Sequence, residues 1–175
     1  MINAHEGCII AANHTSFLDP PLVGSSIPFP VYFLARDTLF HGKIFSYIFH
    51  SLNAIPVTKQ IDHRAFKSAG RGYTVVIFPE GSRSVTGELE NFNLGVALLA
   101  KTLKKPVIPA YIEGAYEIWP RTNKFPKLTG KTSIAFGPPC YLENFAGGSK
   151  KEQYRSFTQA LEKSIKELKN RDVAD

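Results

Sequence analysis

Short apolar runs alternate along this chain with longer segments of mixed character. The runs are rich in the residues that favour strands, and they cover residues 8–11, 31–35, 55–57, 74–78, 107–112 and 133–136. Several of the intervening segments have the length of a helix. The alternation predicts an α/β fold, in which helices cover a sheet.

Three of the intervening segments carry the pattern of a helix, namely residues 43–52, 94–103 and 150–169. In the last of these, apolar side chains recur every three or four residues and form one stripe. The stripe consists of Tyr154, Phe157, Leu161, Ile165 and Leu168. Such a stripe can lie on a membrane, but it docks far more often on a sheet, and we expect docking here.

The segment 43–52 differs from the other two because it is apolar on nearly every side. A helix of this kind is either buried or in contact with lipid, and we favour burial because exposed apolar patches are hazardous. The whole chain has 175 residues and a hydrophobic content of 43%, which suffice for one well-buried core. We therefore expect a single domain over residues 1–175.

The net charge of the chain limits the classes of partner but does not identify one. The chain has 21 Lys and Arg against 15 Asp and Glu, and its net charge of +6 favours nucleic acid, phosphorylated metabolites or an acidic membrane surface. The cations are scattered and no nucleic-acid-binding module is recognised, so we expect no nucleic acid. No apolar run approaches the roughly 18 residues that span a bilayer. Cys8 and Cys140 lack the spacing of metal ligands, and we expect neither a metal site nor a disulfide.

The first polar constellation follows the first apolar run, in the stretch "AANHTSFLDPP". Ser16 and Asp19 have the spacing of a capping box, which predicts a helix from Phe17, and a proline after Asp19 should push it away from helical angles. A stiff turn there would also hold His14 Nδ1 against the Asp19 carboxylate and leave Nε2 to accept a proton. A histidine and an aspartate also occur at this spacing by chance, so the alternative that His14 is a loop histidine without a catalytic role stays open.

The second constellation is "VVIFPEGSRS", residues 75–84. Its charges stand at the carboxyl end of a predicted strand, where α/β sheets bind ligands. Gly81 permits a turn that other residues resist, Arg83 offers a planar fork for a phosphate or carboxylate, and Ser82 adds a donor. The alternative is an exposed Glu80–Arg83 pair, worth a few tenths of a kcal/mol.

Together these stretches resemble the glycerolipid acyltransferase family, whose best-known members are the 1-acylglycerol-3-phosphate acyltransferases. Asn13, His14 and Asp19 match its first block, the HX4D motif, and residues 78–83 match its Phe-Pro-Glu-Gly block. The stretches "NAIPVTK" and "PVIPAYIEGA" match two further blocks in the family's order. The resemblance implies a mixed, largely parallel sheet with helices on both faces, as in the glycerol-3-phosphate acyltransferases.

The resemblance also implies roles for single residues. His14 would be the base that activates the acceptor hydroxyl, and Asp19 would orient it. Arg83 would bind the acceptor phosphate. The remaining substrate-binding residues would be Lys59, Glu80, Gly81 and Ser82, and the supporting residues would be Asn13, Ser16 and Pro109. The chemistry needs no metal and no cofactor besides acyl-CoA or acyl carrier protein as co-substrate.

The implied activity is transfer of a fatty acyl group from such a thioester to the free hydroxyl of a lysophospholipid, above all 1-acyl-glycerol-3-phosphate, in phospholipid biosynthesis. A lipid acceptor implies a cytoplasmic protein that is peripheral on the inner face of a membrane, with the basic stretch "KTLKK" as one candidate contact. Two alternatives remain: a catalytically weak lipid-binding module of the same fold, and a thioesterase-like hydrolase that uses the same base on water.

The chain departs from the family pattern at several positions. Asn53 replaces a frequent Gly, and we expect it to keep a left-handed turn. Lys59 replaces an Arg of the family, and a lysine cannot bind a phosphate with the bidentate geometry of an arginine. Asn93 replaces a Lys that the family has near the acceptor. The segment from residue 59 to residue 75 is short for the family's helix. The first block begins early, which predicts either one domain of a larger protein, fused to or paired with others, or a minimal enzyme without membrane-docking helices.

Overall fold

The protein is built on one six-stranded sheet. The computed structural model describes residues 7–36, 53–57, 72–145 and 147–172. The strands are β1 (Ile9–Ala12), β2 (Val31–Arg36), β3 (Ala54–Val57), β4 (Thr74–Ile77), β5 (Val107–Glu113) and β6 (Ser133–Phe136). Their order is β3-β2-β4-β1-β5-β6, and every neighbouring pair is parallel except β5 and β6. All six predicted strands are confirmed, as is the largely parallel sheet.

The helices of the described ranges are α1 (Asp19–Ser25), α2 (Gly95–Leu103), α3 (Ala115–Ile118) and α4 (Lys150–Asp172), with a 3-10 turn at Leu142–Phe145. The helices predicted at 94–103 and 150–169 are confirmed as α2 and α4. The helix predicted at 43–52 lies outside the described residues. Within the ranges given above, no helix is long and apolar enough to cross a bilayer.

Alternation along β1 gives the sheet two buried faces. Ile9 and Ala11 pack in one apolar cluster with α2 and α4, whereas Ile10 and Ala12 pack in a second cluster with α1. The predicted stripe of α4 lies in the first cluster, and none of its five side chains is more than 9% exposed. Helices therefore cover both faces, and the stripe on α4 is used for docking on the sheet.

The connections leaving β1 and β4 pass to opposite faces of the sheet. The chain leaves β1 into α1 on one face, and after β4 it reaches α2 on the other. The two strands are parallel neighbours, with Ala11 opposite Ile77, so their carboxyl ends lie side by side. Such a divergence opens a crevice at the carboxyl edge, which is where α/β sheets bind ligands. Both polar constellations of the sequence stand at this edge.

Candidate active site

His14 and Asp19 form a hydrogen-bonded pair directly after β1. The Nδ1 atom of His14 lies 2.7 Å from Asp19 Oδ2, and Asp19 is fully buried. The same oxygen accepts hydrogen bonds from the backbone N–H groups of Thr15 (2.7 Å) and Ser16 (2.8 Å). An ionised carboxylate only accepts hydrogen bonds, so Nδ1 is the nitrogen that donates to it, and Nε2 is the ring nitrogen that Asp19 does not occupy. The predicted contact between His14 and Asp19 is confirmed.

The turn before α1 differs from the predicted helix start. The helix begins at Asp19 and not at Phe17, and its N-cap Leu18 makes no side-chain cap bond. Ser16 Oγ instead accepts from Leu18 N at 3.1 Å. The prediction that a proline would push Asp19 out of helical angles is wrong, because Pro20 lies in the first turn, where the missing N–H has no helical partner to lose.

Glu80 ties the second polar turn to the first. Its Oε1 accepts from His14 N at 2.7 Å, and its Oε2 accepts from Glu90 N at 3.1 Å. Only 6% of the residue is exposed, and burial raises the pKa of Glu80 to about 7 although both backbone hydrogen bonds oppose the shift. The alternative of an exposed Glu80–Arg83 pair is therefore wrong, because Glu80 is an internal link between two turns.

Two further contacts fix the position of the His14 backbone and the orientation of its ring. Ser84 N donates to the carbonyl oxygen of His14 at 2.8 Å. The ring of Phe78 stacks on that of His14, with centroids 4.1 Å apart and planes 18° from parallel. A ring held on one face by Phe78 and at Nδ1 by Asp19 has little freedom to turn, so Nε2 keeps one direction.

The second turn depends on Gly81 and Asn93. Gly81 has a φ of +78°, which confirms the predicted need for a glycine. The side-chain amide of Asn93 donates to the carbonyl oxygens of Pro79 (3.1 Å) and Glu80 (3.0 Å). Asn93 therefore replaces the family's lysine with a group that holds the turn.

Arg83 reaches the same edge from the second turn. Its guanidinium carbon lies 3.5 Å from the centroid of the Phe17 ring. Burial, followed by the nearby charge of Arg121, lowers the pKa of Arg83, and Asp19 opposes this effect. Its Nη1 is buried and has no hydrogen-bond partner among the described residues. A planar cation with an unused donor, close to the His14 turn, can receive an anion. Ser82 stands next to it on the same turn and is partly exposed.

Asn13 and Ser16 join the first turn to the β5 side of the sheet. The Asn13 amide donates to Ile112 O at 3.0 Å and accepts from Ile112 N at 2.7 Å, which continues the pairing of β1 with β5 through a side chain. Ser16 Oγ donates to Trp119 O at 2.7 Å. Both contacts agree with the supporting positions that the resemblance implies.

Three further positions were expected to matter, namely Pro109, Asn53 and Lys59. Pro109 is inside β5, opposite Ala11, so it belongs to the sheet. Asn53 has a φ of +52°, which confirms the expected left-handed turn. Lys59, like the short segment that follows it, lies outside the described residues.

Comparison with known proteins agrees with this geometry. The profile of the family described as Acyltransferase matches residues 1–113, a span that contains both turns.

The chain belongs to the acyltransferase family.

As an O-acyltransferase, it is an enzyme that moves an acyl group from a donor to an acceptor. It is 29% identical over 174 residues to the 1-acyl-sn-glycerol-3-phosphate acyltransferase of Bacillus subtilis, covering 96% of this chain and 84% of the relative. The Pseudomonas aeruginosa protein of the same name is 33% identical over 86 residues, covering 49% of this chain and 32% of the relative.

A solved structure gives the fold independently. The crystal structure of the 1-acyl-sn-glycerophosphate (LPA) acyltransferase PlsC from Thermotoga maritima has a TM-score of 0.73 and 25% sequence identity, over 96% of this chain and 68% of that chain. The match confirms a single α/β fold with a mostly parallel sheet.

Several residues at this acyltransferase site were not singled out from the sequence. Thr15 supplies an N–H to Asp19, Phe17 lies under Arg83, and Trp119 lies 4.9 Å from Phe17 between ring centroids. A signal existed for two of them: Phe17 is an aromatic residue inside a polar turn, and Trp119 is the single tryptophan of the chain. A contact between two rings about a hundred residues apart, such as that of Phe17 with Trp119, leaves no recognisable pattern in a single sequence.

Proposed function

We propose that this acyltransferase moves a fatty acyl group from an acyl thioester, either acyl-CoA or acyl carrier protein, to the free hydroxyl of 1-acyl-glycerol-3-phosphate. One observation carries the proposal. A partly exposed imidazole, pinned at Nδ1 by the buried Asp19, shares one edge of the sheet with a guanidinium whose Nη1 has no partner in the described chain. A base beside an anion-binding group suits an acceptor that carries both a hydroxyl and a phosphate.

His14 acts on the hydroxyl. Its Nε2 takes the proton while the hydroxyl oxygen bonds to the thioester carbonyl carbon. The carbon–sulfur bond then breaks, and the proton passes from the imidazole to the departing sulfur. The buried Asp19 carboxylate stabilises the imidazolium that exists between these two transfers. General base catalysis of this kind contributes about 10²- to 10⁴-fold to a rate.

Arg83 acts on the phosphate. Its planar fork matches a phosphate oxygen pair, and an anion would satisfy the buried Nη1. Since burial lowers the pKa of Arg83, an anionic ligand would also favour its charged form. Ser82 and Lys59 are further donors that the resemblance implies for the same phosphate.

The reaction requires no metal or prosthetic group in this proposal, because the thioester is already activated and only proton removal and placement of two substrates remain. Its acceptor is a membrane lipid, so the enzyme works as a peripheral protein on the inner face of a membrane. Its product feeds phospholipid biosynthesis.

The test is thiol release from a panel of acyl-CoA donors, measured with lysophosphatidic acid, with lysophosphatidylethanolamine and with no acceptor. Release that depends on lysophosphatidic acid and is lost in His14→Ala, at unchanged melting temperature, supports the proposal. Release without any acceptor would make the protein a hydrolase. Absence of release with every donor, while lipid vesicles are still bound, would make it a lipid-binding module.

A further inference from the structure

The segment after α3 has an unusual surface. Residues 121–131, here called the basic loop, are all exposed. They include four cations, Arg121, Lys124, Lys127 and Lys131, and no carboxylate. The loop therefore carries +4 of the chain's net charge of +6.

The same loop exposes the two most accessible large apolar side chains of the described residues. Leu128 is 100% exposed and Phe125 is 72% exposed. Elsewhere the pattern differs: the apolar stripe of α4 is buried, and Lys166 and Lys169 of that helix pair with Glu162 (2.6 Å) and Glu88 (2.8 Å). In the stretch "KTLKK", Leu103 is 9% exposed and Lys105 lies over the Tyr73 ring at 4.4 Å. Among the described residues, the four cations of the basic loop form no salt bridge, and the two most exposed large apolar side chains lie between them.

The loop has a fixed base. Lys127 N donates to Ile118 O at 2.9 Å, and Trp119 Nε1 donates to Asn123 O at 3.2 Å. Gly130 lies so close to the Ile118 side chain that a Cβ would collide with it. These contacts hold both ends of the loop against α3, so its exposed side chains are presented from a defined platform.

The platform adjoins the active site. Trp119, which precedes the loop, accepts a hydrogen bond from Ser16 Oγ at 2.7 Å, and its ring lies 4.9 Å from that of Phe17. The charge of Arg121 is close enough to lower the pKa of Arg83. Whatever binds the basic loop is therefore brought to the edge of the sheet where His14 and Arg83 lie.

We propose that the basic loop docks the enzyme on an anionic lipid surface, with Phe125 and Leu128 entering the headgroup region and the four cations contacting lipid phosphates. Cations beside apolar side chains are the composition of segments that lie in a membrane interface. The choice of lipid over an acidic protein rests on the proposed function, because a lysophospholipid acceptor must pass from the bilayer to His14. Docking beside the site shortens that path.

The test is sedimentation of the full chain with vesicles of phosphatidylcholine alone and of phosphatidylcholine mixed equally with phosphatidylglycerol. The charge variant is Lys124→Gln with Lys127→Gln. Its matched control is Lys151→Gln with Lys163→Gln, which removes two exposed cations from α4. The apolar variant is Phe125→Ser with Leu128→Ser, and its control is Leu98→Ser with Tyr141→Ser, at side chains that are 44% and 45% exposed.

We expect the wild type to bind the mixed vesicles more tightly than phosphatidylcholine, and more weakly as salt is added. The charge variant should lose about twentyfold in affinity for the mixed vesicles, and its control less than about threefold. The apolar variant should lose about tenfold or more. Loop variants that bind like their controls, or a wild type that does not bind mixed vesicles, would overturn the proposal.

A parallel assay separates this proposal from the proposed function. Transfer from a short-chain acyl-CoA to a water-soluble short-chain lysophosphatidate needs no membrane, and the loop variants should keep it. If no variant or wild type transfers acyl groups while vesicle binding still depends on the loop, the docking surface stands and the proposed function fails. Loop variants that bind vesicles normally but lose transfer from acyl carrier protein would assign the loop to an acidic protein and overturn lipid docking.

Discussion

The two polar turns at the carboxyl edge of the sheet are held in different ways. The first turn, residues 13–19, closes on itself, since Asp19 Oδ2 takes hydrogen bonds from three groups within the turn. The second turn, residues 78–84, is held by contacts with other segments. Its Glu80 carboxylate binds N–H groups of His14 and Glu90, and Asn93 holds its carbonyls.

This difference indicates that the two turns have different roles. Because Asp19 takes its three hydrogen bonds from within the first turn, the imidazole and its carboxylate stay in register with each other. Contacts with Ile112, Trp119 and Glu80 then fix where this turn lies on the sheet. The second turn is joined to the first turn and to the segment 90–93, and these contacts set where Arg83 lies relative to the His14 turn. Changes in the first turn should therefore act on chemistry, and changes in the second on acceptor binding and stability.

After the loss of transfer expected for His14→Ala, the largest effect is expected from Asp19→Asn. An asparagine oxygen can still accept the three hydrogen bonds, so the turn should survive, but the charge that stabilises the imidazolium is lost. We expect kcat to fall by about 10² to 10⁴ with little change in KM. Glu167→Gln, a change at an exposed carboxylate of α4, serves as the control. A kcat within about threefold of wild type would show that Asp19 only shapes the turn.

The next effect concerns the second turn. Arg83→Ala should raise the KM for lysophosphatidate by about tenfold to a hundredfold, because a charged hydrogen bond to phosphate is lost, while kcat changes little. Arg83→Lys should recover part of this loss through its charge but not its fork. Steady-state kinetics with lysophosphatidate and with an uncharged monoacylglycerol measure the effect. A rise in KM for the thioester alone would move Arg83 to the donor site.

Those two turns could be located from the sequence because strand ends are readable from apolar runs. Once 8–11 and 74–78 are recognised as strands of one parallel sheet, the residues that follow them share an edge. Only the structure shows that these two strands are neighbours and that His14 meets the Glu80 turn. The start of α1 was misplaced because Ser16 and Asp19 satisfy the spacing of a capping box whether or not the helix has begun. Sequence spacing does not distinguish these two cases.

The role of Glu80 was not readable for another reason. Its neighbour Arg83 suggests an ion pair, whereas its partners are N–H groups of residues 14 and 90, which are adjacent only after folding. Asn93 poses the same difficulty. Compared with the family pattern, Asn93 stands where a cation is expected. Only the folded chain shows that its side-chain amide donates hydrogen bonds to the carbonyl oxygens of Pro79 and Glu80.

Glu80→Gln tests the internal link through pH. Burial raises the pKa of Glu80 to about 7 in the folded chain, so the folded chain binds this proton more tightly than the unfolded chain does. The stabilising effect is complete below about pH 4.5 and is lost as the pH rises to about 7. The wild type should therefore lose about 2 kcal/mol relative to Glu80→Gln between about pH 5 and about pH 8. Urea unfolding of both proteins measures the free energy of unfolding at each pH. If the two curves of this free energy against pH run parallel, Glu80 is not the source of the pH dependence.

The smallest effect is expected from Asn93→Ala. Two hydrogen bonds from the side-chain amide are lost, which should cost about 1–2 kcal/mol and lower the melting temperature by about 3–6 °C. Asn93→Lys should lower stability similarly while it restores a cation near the acceptor, so its KM for lysophosphatidate should be below that of Asn93→Ala. Equal KM values in the two variants would mean that residue 93 does not contact the acceptor.

The central claim is that His14 removes a proton from the acceptor during direct transfer, with no acyl group resting on the enzyme. Initial rates over a grid of acyl-CoA and lysophosphatidate concentrations test it most directly. Direct transfer in a ternary complex predicts reciprocal plots that intersect, and a chain whose mass is unchanged after incubation with acyl-CoA alone. Parallel plots together with a chain that gains the mass of one acyl group would contradict it and make the site that of a covalent nucleophile.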